Sequence, residues 1–96
     1  MRCMLKLEID TETGNKAISE GALPKIMQQV MDKTKPEASY FSTESGRRTA
    51  FIFFDLADPS DIPAIAEPAF SHLGARVTFT PVMNSDDLQK GLAQLG

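Results

Sequence analysis

A chain of 96 residues has room for one modest hydrophobic core, so a single domain over residues 1–96 is expected. Its 42% hydrophobic and 24% charged residues, with six Gly and six Pro spread along the chain, exclude a disordered or collagen-like polymer. Thirteen acidic against ten basic residues give a net charge of -3, the wrong sign for neutralising nucleic-acid phosphates, while the lone Cys3 and lone His72 exclude an internal disulfide and leave a Cys/His zinc site without ligands.

The first predicted element is a strand. Met1, Cys3, Leu5, Leu7 and Ile9 share one parity, and Arg2, Met4, Lys6, Glu8 and Asp10 share the other. This alternation has none of the charged, apolar and small-residue parts of a secretion signal, so a cytoplasmic location is expected. No stretch approaches the roughly 18 consecutive apolar residues of a membrane span. A polar loop containing Gly14 and Asn15 follows, with Ile18 in a short separate turn. Leu23, Ile26, Met27, Val30, Met31 and Thr34 then recur at the spacing of an amphipathic helix, with Pro24 suited to its first turn and Pro36 ending it.

Ala38–Glu44 and Arg47–Leu56 read as strands joined by a Ser45-Gly46 hairpin. The second carries Ala50, Ile52, Phe54 and Leu56 on one parity and Thr49, Phe51, Phe53 and Asp55 on the other, so both of its faces need cover. Asp58 and Pro59 are placed to cap and open a second helix, with Ile62, Ile65, Ala66, Ala69, Phe70 and Leu73 as its apolar stripe and Gly74 as its stop. Pro63 and Pro68 lie inside that stripe, and a break or kink near Glu67 is expected. Ala75–Val82 is a final strand. Ser85, Asp86 and Asp87 open a short terminal helix carrying Leu88, Leu92 and Leu95 on one side.

Strand, helix, strand, strand, helix, strand is the split βαβ pattern of a ferredoxin-like α+β fold. Right-handed crossovers predict a four-stranded antiparallel sheet ordered 4-1-3-2, with both main helices on one face. The other face then carries Met4, Lys6 and Glu8 beside Phe51 and Phe53. Covering each phenylalanine contributes roughly 1.5 to 3 kcal/mol, which a monomer would forgo while exposing an adhesive patch. A homodimer is therefore expected.

From MRCMLKLEID through TAFIFFDLADPSDIPAIAEPAF to VTFTPVMNSDDLQKGL, nearly the whole chain resembles the dimeric α/β-barrel superfamily. The runs IAEPAF and FTPVMNSDDLQKGL are similar to a group of small uncharacterised bacterial proteins of that type. The resemblance implies two ferredoxin-like protomers stacked sheet on sheet around a cavity, with no particular reaction attached. Superfamily members include cofactor-free monooxygenases, small isomerases and haem-degrading enzymes. Haem-handling members present a histidine to the iron, and His72 lies on the second helix, so no cofactor is expected.

Lys6 and Glu8 are the candidate acid–base pair, about 6 to 7 Å apart by strand rise and desolvated beside phenylalanines in such a cavity. The plainer reading of both is an ion pair across or within the sheet. Met4, Phe51 and Phe53 would form the apolar wall of a ligand site. Tyr40 and Thr78 would supply hydroxyls, although the parity of Tyr40 is undecided, and a ring at a strand edge or a good strand former explains them equally. Cys3 shares the core parity and reads as a small buried hydrophobe. Arg47, Ala50, Phe51, Ile52 and Phe54 fit the third-strand motif of RRM domains, but Arg48 and Thr49 replace its glycine and first aromatic, so no nucleic-acid partner is expected. The leading expectation is a homodimer binding a small, largely apolar molecule, as a cofactor-free monooxygenase- or isomerase-like enzyme. The competing one is a non-catalytic dimeric interaction or metabolite-sensing module.

Overall fold

The computed structural model describes all 96 residues. β1 (Arg2–Glu8), β2 (Ala38–Glu44), β3 (Arg47–Asp55) and β4 (Arg76–Pro81) form one antiparallel sheet in the order β2-β3-β1-β4. Read from the other edge this is 4-1-3-2, the order of a ferredoxin-like sheet, and the architecture is α+β. Helices α1 (Thr11–Ser19), α2 (Leu23–Thr34) and α3 (Ile62–Leu73) accompany the strands, and α4 (Ser85–Ala93) follows them.

The core lies between one face of the sheet and α1, α2 and α3. Cys3, Leu5 and Leu7 of β1 and Ala50, Ile52 and Phe54 of β3 meet Ala17 of α1, Ile26 and Val30 of α2, and Ile65, Ala69 and Leu73 of α3. Each of these residues is buried, and Leu5, Leu7, Ile52 and Leu73 have no exposed surface. Burial at alternate strand positions is what anchors the register, since a slip by one residue would turn every one of these side chains to the opposite face.

Three local features depart from the expectations. Residues 11–19 form α1 and not a polar loop, because Asp10 caps the helix: its carboxylate accepts the Thr13 N–H at 3.0 Å and the Thr13 hydroxyl at 2.9 Å. Gly14, a poor helix residue, lies in close quarters: a Cβ on it would sit 2.9 Å from Arg48 Nη1, the mobile end of its side chain, and 3.0 Å from Ile9 Cγ2, so both neighbours would have to give slightly. Asp58 and Pro59 open a 3-10 turn over Pro59–Asp61, and α3 starts only at Ile62. Pro63 thus falls in the first turn, where the missing N–H has no partner to lose.

No break occurs near Glu67, and α3 runs unbroken through Pro68. Pro68 deprives the Ala64 carbonyl of its helical donor. The Lys33 ammonium of α2 supplies another, donating to Ala64 O at 2.9 Å. The helix ends at Gly74, whose φ of 53° lies in the left-handed region that glycine tolerates best.

At the hairpin, Ser45 and Gly46 both have positive φ, 54° and 76°, as the twist of a two-residue turn demands. Beyond β4, a reciprocal capping box between Asn84 and Asp87 starts α4. None of the residues of α4 is buried, and Leu88, Leu92 and Leu95 are exposed. The molecule is correspondingly long, 55 × 28 × 17 Å, with a radius of gyration of 15.1 Å. A compact chain of this length would have a radius of gyration of about 12.5 Å. No helix is long and apolar enough to cross a membrane.

Candidate functional site

The sheet face turned away from the helices is set by the strand register. Lys6 of β1 lies opposite Phe51 of β3 and Thr78 of β4, and Phe51 lies opposite Tyr40 of β2. Directly opposed residues share a face. One row across the sheet is therefore Tyr40, Phe51, Lys6 and Thr78. The next row toward the start of β1 is Ala38, Phe53, Met4 and Thr80, and the next toward its end is Ser42, Thr49, Glu8 and Arg76.

All seven residues singled out in the sequence thus meet on one face: Met4, Lys6, Glu8, Tyr40, Phe51, Phe53 and Thr78. The pairing settles the parity of Tyr40, which its own strand leaves open. Its ring stands edge-on to Phe53, with centroids 6.5 Å apart and planes at 73°. Met4, Phe51 and Phe53 are partly buried, whereas Tyr40 is 64% exposed. No helix covers this apolar strip. A shallow recess of about 480 Å³ continues it past Phe53, Ala38, Val82 and Met83, with Arg2 and Glu37 at its rim.

The charged groups have distinct surroundings. Lys6 Nζ donates to Glu44 Oε1 at 2.6 Å, a contact across two strand pairs and 38 residues of sequence. The Lys6 ion pair therefore runs across the sheet to Glu44. That hydrogen bond, opposed by desolvation and assisted by the charges of Glu44 and Glu8, holds the Lys6 ammonium above its ordinary pKa. Lys6 accordingly stands as a fixed positive charge, and two of its three donors remain for another partner. Glu8 is only 8% exposed as a residue; its carboxylate makes no hydrogen bond within the protein and has no cation within 4 Å, and its oxygens are the part that reaches solvent.

Glu44 was not among the residues singled out, because the contact depends on the β2–β3–β1 pairing and leaves no local mark in the sequence. At the other end of the face Arg2 Nε meets Glu37 Oε1 at 2.7 Å, Arg2 Nη1 lies 3.5 Å from Asp87, and the N-terminal ammonium meets Asp55 at 2.6 Å. These exposed pairs frame the apolar strip and contribute little stability. Cys3 is buried on the helix side, where desolvation pushes its thiol pKa up, so it presents no thiolate to the site. His72 lies in the last turn of α3, on the helical side. No group of three or more His, Cys, Asp or Glu side chains is arranged to hold a metal ion.

Comparison with protein-family models gives no match, and no curated protein matches the sequence.

Proposed function

We propose that the chain works as a homodimer of the α/β-barrel kind, with its two helix-free faces stacked around a cavity that takes a small, largely apolar molecule. The observation that carries this reading is the contiguous strip of Tyr40, Phe51, Phe53 and Met4 on a sheet face that no helix covers. Stacked sheets lie about 10 Å apart, so the facing aromatic side chains would line the space between them. Burying each phenylalanine stabilises the pair by about 1.5 to 3 kcal/mol, set against the cost of association. The Lys6–Glu44 pair, Glu8 and the Thr78 hydroxyl then become polar groups inside an apolar enclosure, the composition of a small-molecule site. An acid–base pair in such an enclosure suits the chemistry of cofactor-free oxygenases and isomerases.

A second reading is a non-catalytic dimeric interaction or sensing module. Leu88, Leu92 and Leu95 favour it, since α4 offers apolar contact surface that a ligand cavity does not need. Native mass spectrometry of the purified dimer, wild type and Lys6→Met/Glu8→Gln, separates the two. A bound small molecule that the double variant loses while staying dimeric supports the site. Dimer faces that interdigitate with no cavity in a crystal structure overturn it.

A further inference from the structure

Lys6 and Glu8 share one face of one strand, but their surroundings assign them opposite tasks. Glu44 fixes Lys6 as a cation. Most of Glu8 is buried, but its carboxylate is engaged by no side chain of the protein and its oxygens remain accessible. Its row holds Thr49 from β3 and Arg76 from β4, and the adjacent row holds Lys6. The Thr49 hydroxyl is already committed to the Arg47 carbonyl at 3.0 Å. No side-chain oxygen of the protein is both buried and unpartnered, so the Glu8 carboxylate keeps its access to solvent and is free to take a proton from a bound molecule.

We infer that this face moves a proton at carbon: Glu8 takes it from the C–H next to a carbonyl group, and Lys6 holds the carbonyl oxygen that becomes negative. This rests on the cavity reading above and names the substrate class for it, a ketone with an aryl or alkyl body. The apolar body lies on Met4, Phe51 and Phe53, and the ketone faces the Lys6–Glu8 side. Successive same-face residues on a strand are about 6 to 7 Å apart, which suits a C–C=O unit touching one group at each end.

The step needs no oxidant. As the C–H bond breaks, its proton forms an O–H bond with Glu8 and its electron pair becomes the carbon–carbon double bond of an enolate. The carbonyl π pair moves onto oxygen, opposite the Lys6 ammonium, a charge already in place before the reaction. Glu8 then returns the proton. Delivery to the same carbon regenerates the ketone, and delivery to the far carbon of a β,γ-unsaturated ketone gives the conjugated isomer.

Phenylacetone, a neutral aryl ketone, is the probe. In heavy water its benzylic protons exchange through this enolate, and proton NMR follows their loss. The wild-type protein is expected to exchange them faster than buffer alone. Glu8→Gln should lower the catalysed rate by about 10²-fold or more, the usual contribution of a positioned base, while Glu8→Asp keeps part of it. Lys6→Met should also slow exchange, with the dimer mass unchanged. A wild-type rate equal to buffer overturns the inference without reference to any variant, as does full activity in Glu8→Gln. If the protein is then still a dimer whose phenylacetone resonances broaden on binding, the cavity reading stands and only the proton transfer falls. A monomer that binds no phenylacetone overturns both.

Discussion

The Asp10 carboxylate sets the start of α1, and its charge is part of that role. The Thr13 N–H, followed by the Thr13 hydroxyl, holds its pKa below the ordinary carboxylate value. A folded-state pKa that is depressed adds stability above the unfolded value of about 3.9, and this is lost as the pH falls through the lowered folded value. Asn keeps a capping acceptor but carries no charge. Asp10→Asn should therefore be less stable than wild type at neutral pH, with the gap closing in acid. Urea midpoints at several pH values check this, and a gap that does not change with pH would remove the charge from the account. The same residue shows what could be read in advance. Asp followed by Thr-Glu-Thr is an N-cap signal, but Gly14 and Asn15 suggested a loop, because the close approach of Arg48 to Gly14 is made by a distant strand. Tyr40 was undecidable for a related reason: β2 has no apolar alternation, and its orientation comes from pairing with Phe51.

Among the elements, α3 shows most clearly how tertiary contact overrides a local rule. The proline rule correctly identifies the lost backbone bond but says nothing about a donor on another helix. Lys33 in α2 takes the Ala64 carbonyl that Pro68 leaves free. Pro68→Ala restores the N–H and makes the lysine redundant. Lys33→Met should then cost about 0.5 to 1.5 kcal/mol in the wild-type chain and close to nothing in the Pro68→Ala background. A double-mutant cycle by denaturant unfolding measures this coupling, and additive costs would show that the contact carries no weight. The strands were far more legible. β1 and β3 alternate strictly, and their buried parities, Cys3-Leu5-Leu7 and Ala50-Ile52-Phe54, match the observed core. Burial on one face leaves a period-two record in the sequence that needs no knowledge of the partner.

At the scale of the molecule, element order was enough to predict the sheet order, because few topologies join these elements by short right-handed connections. The residues of the candidate site were placed on one face to the same extent. Lys6, Phe51 and Thr78 follow from parity and topology together, while Glu44 depends on side-chain reach across the sheet. What one chain leaves unfinished is the cover for its second face. The aromatic strip, the unengaged carboxylate of Glu8 and the exposed Leu88 and Leu92 of α4 are the features that the proposed dimer would cover. Phe51→Asp places a charge in the middle of the strip and should disfavour pairing while sparing the helix-side core, since Phe51 faces away from it. Sedimentation equilibrium at micromolar concentration is the most direct test. The account predicts a wild-type species of twice the 10.5 kDa chain mass, with Phe51→Asp shifted toward the single-chain mass. A wild-type protein that stays at 10.5 kDa across that range would contradict it.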